Sequence, residues 1–345
     1  MRKLLLVGSA SINTYQYDEL IKGYFDEVLL LSDQKSKDYT INSIALNFSL
    51  RNPITAYQTI SQIKKIISDF KPSIIHIQQA NVYAFYTLLA AKSFNTPKVL
   101  TLWGSDILVI PHKSFLLKKL VQYNLLHADA ITSNSKYVAT EMQKLIPQKK
   151  VDLTLANLGV EITPQLIKKE NIVYSNRLHN KLYRIDQVIM GFKKFVEETE
   201  NASWKLIIAG QGTETENLKQ LAVQLNLSSK IEFVGWQNKE QNIANYAKAK
   251  IFISIPTSDS TPTSLLEAMA YGCIPVVSNL PSIALWIENN KNGIMIDDLN
   301  SNYLKQALQL NINEVGELNK KIIVEKASKE VNRKKFLSLY DRLLL

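Results

Sequence analysis

Short apolar runs alternate with amphipathic stretches along the whole chain, and the alternation starts twice. In the first half the runs are Lys3–Val7, Glu27–Leu31, Ile74–Ile77, Val99–Leu102, Ala130–Thr132 and Asp152–Ala156, with helical spacing over Ala56–Phe70 and Ser114–His127. Pro164–Glu170, polar and basic, reads as a linker. The pattern resumes with Asn171–Ser175, Trp204–Ala209, Ile231–Val234, Ile251–Ile255 and Cys273–Val277. Helices are expected between these runs, around Ile185–Glu198, Thr215–Leu225, Gln241–Ala247 and Leu265–Tyr271. Strands separated by helices form parallel βαβ units. A pattern that restarts implies two doubly wound α/β domains, 1–165 and 166–325, facing across a cleft at the carboxyl ends of their strands. The remaining 326–345 carries Phe336, Leu337, Tyr340, Leu343 and Leu344 at helical spacing, which predicts an amphipathic helix packed on another element.

Composition fits this reading. The chain of 345 residues is 46% apolar and 21% charged, enough for a sizeable core in each half. One cysteine, Cys273, excludes an internal disulfide framework, and its apolar surroundings make it buried filler. The apolar run after Met1 is too short for a secretory signal and reads as a first strand. No segment approaches the ~18 apolar residues of a membrane span. A cytoplasmic protein is expected. The net charge of +10 is spread over both halves. It suits a solvated surface, anionic nucleotide ligands or an anionic membrane face, and no nucleic-acid module accompanies it.

The segment Ser258–Ser278 holds the densest chemistry. A strand leads into a short polar loop with Asp259 and Pro262, then a helix with Glu267, then another strand. A loop that opens a helix aims backbone N–H groups and the positive helix end at one point, which suits a phosphate. Two acids beside an anion site are explained if they bind neutral hydroxyl-bearing parts of the same ligand, as in a sugar nucleotide.

More residues extend this pattern. Asp259-x7-Glu267, followed by Ala-Met-Ala-x-Gly-x-Ile-Pro-Val-Val, resembles the acid-x7-acid signature of the retaining glycosyltransferases of family 4, which have the GT-B fold of two Rossmann-like domains. Ser175-Asn-Arg-Leu178 resembles the family's Gly-Arg-Leu strand end, Leu206–Glu216 its Gly-x-Gly turn, and Phe233-Val-Gly-Trp236 its base-holding loop. Asn157-Leu-Gly-Val-Glu161 resembles the Asn-Gly-Val-Asp segment that ends the first domain, with Leu158 as an extra residue. Trp103-Gly-Ser-Asp106 resembles the His-Gly-x-Asp segment of the acceptor-side domain. The similarity covers nearly the whole chain and is strongest over 171–300.

The resemblance implies a nucleotide-sugar donor, UDP- or GDP-linked, in the second domain and a saccharide or lipid-linked acceptor at the first. It also implies that the C-terminal helix crosses back to the first domain. Glu267 would accept hydrogen bonds from the ribose hydroxyls; from the residues alone, Ser264-Leu-Leu-Glu267 is equally a capping box. Asp259 stands where the family has glutamate near the transferred sugar, or is an exposed loop acid. Ser260, Thr261, Thr263, Ser264 and Leu265 would offer backbone N–H groups to the diphosphate, with Thr261 or Pro262 opening the helix. Arg177 is the fixed cation, its planar fork suited to phosphate. The family's second cation is a lysine five residues on; here Lys181 lies four residues on, with Arg184 as a substitute. Gly210 and Gly212 would let the chain pass close to the donor. Gly8 would lie near the phosphates or acceptor, and Trp236 near the base. Trp103 replaces a donor-positioning histidine, and Asp106 is either structural or acceptor-facing.

His76, His112, His127 and His179 have no ligand spacing and there is no Asp-x-Asp pair, so no metal or cofactor is expected. His112–His127 mixes Lys113, Lys118 and Lys119 with Phe115, Leu116, Leu117, Leu120 and Val121, a face for an anionic membrane or an ordinary packed helix. The expected function is retaining hexosyl transfer in surface polysaccharide or glycoconjugate assembly. Alternatives are a non-catalytic partner protein of the same fold and a sugar-nucleotide epimerase.

Overall fold

The computed structural model describes residues 1–35, 41–162, 168–198 and 203–345. It divides into two compact units, Met1–Gly159 with Lys329–Leu345, and Val160–Ser328. Most of the expected linker, 164–167, lies outside the described residues, while Glu170 already belongs to a strand.

Unit one is built on a seven-stranded parallel sheet. Its strands are β1 (Lys3–Val7), β2 (Glu27–Ser32), β3 (Asn42–Ala45), β4 (Ile74–Gln78), β5 (Lys98–Leu102), β6 (Ala130–Ser133) and β7 (Asp152–Leu155), in the order β3-β2-β1-β4-β5-β6-β7. Alternate side chains feed two cores, as the two-residue strand period requires. Leu5, Val7, Ile75, Ile77, Leu100 and Leu102 face the helices Pro53–Phe70, Val82–Ala90, Phe115–His127 and Lys136–Leu145. Leu4, Leu6, Ile74 and Val99 face the other side, where the helix Ile12–Ile21 supplies Tyr17, Leu20 and Ile21. The helix Lys329–Leu344 completes this second face with Phe336, Leu339 and Tyr340, so the chain's last helix belongs to the first unit.

A polar network interrupts this apolar face. His76 on β4 is fully buried between Tyr17 and Tyr340. Its Nδ1 lies 2.8 Å from the Tyr17 hydroxyl and 2.5 Å from that of Tyr340, and its Nε2 2.6 Å from Thr101 Oγ1. Thr101 in turn meets Thr132 Oγ1 at 2.6 Å. The network joins β4, β5, β6 and both helices of that face.

Unit two has a six-stranded parallel sheet of β8 (Glu170–Ser175), β9 (Lys205–Ala209), β10 (Ile231–Gly235), β11 (Ala249–Ser254), β12 (Ile274–Ser278) and β13 (Ile294–Ile296), in the order β10-β9-β8-β11-β12-β13. Val173, Ile208, Ile251 and Val276 meet the helix Ile185–Glu198 on one face. Tyr174, Phe252 and Val277 meet the helices Lys239–Lys248 and Thr263–Ala270 on the other. Lys169 Nζ is held 2.8 Å from each of the carbonyls of Tyr246, Ala249 and Tyr271. Cys273 is more than filler: its buried thiol donates to the Tyr246 carbonyl at 3.2 Å beside this ammonium.

In each sheet the strand order reverses once, between β1 and β4 and between β8 and β11. Loops leaving adjacent strands part in opposite directions there and open a ligand crevice. The resemblance-bearing residues Gly8, Arg177 and Asp259 all sit on loops at these two points.

Burial holds the His76 imidazole neutral by pushing its pKa from 6.5 to about 3. Between those values the unfolded chain binds the extra proton, so acid favours unfolding. Urea melts should lose roughly 1 kcal/mol of stability per pH unit as pH falls from about 6 towards 3. That component should be absent from His76→Gln; if the two pH profiles coincide, the network does not hold a neutral imidazole.

Candidate active site

Unit two concentrates its polar side chains where β8 and β11 end. β8 delivers Asn176 and Arg177, and the loop after β11 delivers Asp259 and then the helix Thr263–Ala270. Arg177 donates from Nη2 to Asp259 Oδ2 at 2.6 Å and from Nη1 to Ser264 Oγ at 2.7 Å. The Tyr183 ring covers the guanidinium at 4.3 Å. Both ionic side chains are largely buried, 11% and 15% exposed. The planar fork is thus fixed on three sides, as a bidentate anion site requires.

The helix starts at Thr263, with Pro262 as its N-cap residue in extended geometry. It therefore begins earlier than the expected Leu265. Proline sets the entry angle while supplying no donor. The first-turn N–H groups of Thr263 and Ser264 have no intrahelical acceptor. Two other expected donors are engaged elsewhere. Leu265 N–H bonds Pro262 O at 3.0 Å, and its side chain is fully buried. Ser260 N–H bonds Asp259 Oδ1 at 2.8 Å. Thr261 Oγ1 accepts from Trp286 Nε1 at 3.4 Å, so the loop side chains brace the turn.

The capping-box reading of Glu267 fails, because no side chain caps this helix and Glu267 stands a full turn further in. Its Oε2 instead accepts from the Tyr246 hydroxyl at 2.9 Å. Burial first, and then the Glu267 carboxylate, keep that phenol protonated by raising its pKa.

The two candidate second cations differ. Arg184, in left-handed backbone geometry, donates from Nε to Ile255 O at 2.7 Å and from Nη2 to Pro256 O and Ser278 Oγ at 3.0 and 3.1 Å. It ties the ends of β11 and β12 together, which removes it as a substitute phosphate ligand. Lys181 is exposed and, among the described residues, without a partner. It lines a groove of about 620 Å³ with Asn180, Asp186, Glu214 and Asn217.

Gly210 and Gly212 have a structural reason of their own. A Cβ on either would collide with the carbonyl oxygen of Arg177 or His179 respectively, and Gly210 has φ +107. The turn after β9 packs directly on the loop that carries Arg177. His179, missed as a site residue, pins the two by meeting Thr215 Oγ1 at 2.9 Å. Trp236 follows β10 and is 65% exposed.

In unit one, Gly8 is buried against Gln78, whose Cβ would lie 2.9 Å from an added Cβ. Trp103 Nε1 donates to Gln78 Oε1 at 3.0 Å. Asp106 is fully buried and accepts from Ala80, Trp103 and Gly104 N–H at 2.9, 3.1 and 2.8 Å. Of its two readings the geometry favours the structural one: Asp106 sets the loop on which Trp103 sits. Among the described residues no group of three or more His, Cys, Asp or Glu could hold a metal ion.

A glycosyl transferases group 1 model matches 162–329 and a glycosyl transferase 4-like model matches 4–135. The chain belongs to the GT-B glycosyltransferases of the family 4 type. N-acetyl-alpha-D-glucosaminyl L-malate synthase of Bacillus anthracis is 26% identical over 65% of this chain, and alpha-monoglucosyldiacylglycerol synthase of Streptococcus pneumoniae 23% over 67%. These alignments span 61% and 57% of those relatives' own lengths. The crystal structure of Anabaena HepE in complex with UDP shares the fold, with TM-score 0.81 and 14% identity over 99% of this chain and 100% of that one.

Gly212→Ala forces the turn after β9 off the Arg177 loop. It should lower stability by about 1–3 kcal/mol, read as a fall in melting temperature. An unchanged melting temperature would mean that the two loops do not depend on each other.

Proposed function

We propose that the protein is a retaining glycosyltransferase that moves a hexosyl group from a UDP- or GDP-linked sugar to a saccharide or lipid-linked acceptor. The observation that carries this reading is the Arg177 guanidinium, fixed between Asp259 and Ser264 at the first turn of a helix. A diphosphate placed there meets a planar cation and two unsatisfied N–H groups at once. Glu267 would take the ribose hydroxyls, Trp236 the base, and Lys181 the outer phosphate. Asp259 would turn from Arg177 to the sugar hydroxyls when the diphosphate takes the guanidinium.

Charge develops on the leaving diphosphate as the glycosidic bond breaks. Arg177 and the helix end are preorganised to stabilise it, each such donor being worth ~3–4 kcal/mol of barrier, with the exposed Lys181 as an added cation. The acceptor hydroxyl would attack the oxocarbenium-like centre from the face of the leaving group, giving retention. No step in this scheme draws on a metal, so transfer should persist in EDTA. The named activities of the bacterial relatives support glycoconjugate or glycolipid synthesis as the setting.

Among the described residues no helix is long and apolar enough to cross a membrane. Of the basic stretch after His112, Val121 is buried, while Phe115 and Leu116 are 71% and 78% exposed beside Lys113, Lys118 and Lys119. This edge of unit one would rest on an anionic bilayer. Phe115→Ser with Leu116→Ser should abolish sedimentation with phosphatidylglycerol vesicles and leave nucleotide binding intact; retained sedimentation would remove the membrane from the proposal.

A thermal-shift panel of UDP, GDP, ADP and CMP tests the donor site. The cognate nucleotide at 100 times its dissociation constant adds ~2.7 kcal/mol of stability. Arg177→Ala should abolish that shift, and it should cut transfer by roughly 10²–10³. If no nucleotide shifts the melting temperature, the donor site is misassigned. If nucleotides bind but no donor releases sugar, the protein is the non-catalytic partner.

A further inference from the structure

We infer that Tyr246 is the positioning residue for Glu267, aiming its carboxylate at the ribose of a bound nucleotide. The inference rests on the donor-site reading above and adds a residue and a mechanism to it. Glu267 is partly exposed on a helix second turn, where a free glutamate side chain samples several rotamers. The Tyr246 hydroxyl, held on Oε2, narrows that freedom and fixes the direction in which the carboxylate faces.

Tyr246 is built to be such a donor. It is fully buried, stacked on Tyr271 at 6.2 Å with an interplanar angle of 7°, and edge-on to Tyr174 at 5.3 Å. Its ring therefore has no alternative position. The direction of its proton is fixed as well. Asn176 Nδ2 donates to the Tyr246 oxygen at 2.7 Å, so the hydroxyl proton must point to Glu267 Oε2, 2.9 Å away.

The orientation of Asn176 is set in turn by Asn242. Asn242 Oδ1 accepts from Asn176 Nδ2 at 2.9 Å and from the Tyr174 hydroxyl at 2.6 Å. Its amide nitrogen donates to Gln237 O at 3.0 Å and Asn238 O at 2.9 Å. All four bonds are met by one orientation of the amide, and flipping it would set donor against donor. A single polarised chain thus runs from the loop beside Trp236, past the residue preceding Arg177, to the carboxylate of Glu267. Base, phosphate and ribose contacts are registered to one another through side chains that touch none of the ligand.

The test is calorimetric titration of the full chain with whichever of UDP, GDP, ADP or CMP binds, and with its 2′,3′-dideoxy form. Wild type should lose affinity for the dideoxy form. Tyr246→Phe keeps the ring and removes one hydroxyl, so ribonucleotide affinity should fall about tenfold while dideoxy affinity is unchanged. Asn176→Ala, which frees the hydroxyl proton to turn away, should show the same selectivity and serves if the Phe variant does not fold. An equal loss for both ligands would mean a structural role only, and no loss would mean that Glu267 is held by other groups. Either result overturns the inference. A wild type that binds both ligands equally removes ribose from Glu267 and overturns it too, whereas a wild type that binds none of the four refutes the donor site itself.

Discussion

A parallel β-ladder buried on both faces leaves no room for chemistry along its length. Most strand residues in the middle of these two sheets pack into one core or the other, and the polar His76 is held there by a hydrogen-bonded network of its own. Reactive side chains can stand only at strand ends, and helices return the chain so that the carboxyl ends of all strands share one edge. Adjacent loops normally lean the same way. Only where the strand order reverses do they separate and leave a gap. Arg177 and Asp259 stand on the two lips of that gap in unit two, and their contact is one of several that join the β8 and β11 loops.

That contact is an ion pair removed from most solvent, a setting in which desolvation consumes much of the Coulombic gain. Its value lies in position. Asp259 keeps the guanidinium extended, with Tyr183 stacked against it. In the proposed donor site, a diphosphate would carry more charge than one carboxylate and would displace it without reordering the arginine. Aspartate in place of the family's glutamate also makes sense here, since the shorter side chain reaches Arg177 while bonding its own neighbouring N–H at Ser260.

Much of this architecture can be read from residue pattern because the buried parallel strands are short, mostly apolar runs. The strand starts and ends fall within a few residues of the apolar runs. The two strands that pattern reading misses lack such a run: β3 is Asn-Ser-Ile-Ala on an exposed edge, and β13 is only three residues long. At the site, motif spacing locates Arg177, Asp259 and Glu267, but not what each touches. Arg184 looks like a spare cation until its donors are seen on strand-end carbonyls, and Asp106 like a free acid until three backbone N–H groups converge on it. Leu265 falls out because a 3₁₀-type bond closes the first helical turn. Tyr246 and Asn242 carry a fainter signal: two polar residues one helical turn apart on the face that must meet the sheet.

The helix Lys329–Leu344 has a consequence for how the protein is made. The first sheet is synthesised early, but Phe336, Leu339 and Tyr340, which cover one of its faces, are translated only after the entire second unit. Until then Leu4, Leu6 and His76 lack their cover, and the nascent first unit presents an apolar surface to the cell. The second unit, continuous in sequence, can close by itself. The core begun first is therefore the one whose last element is made last.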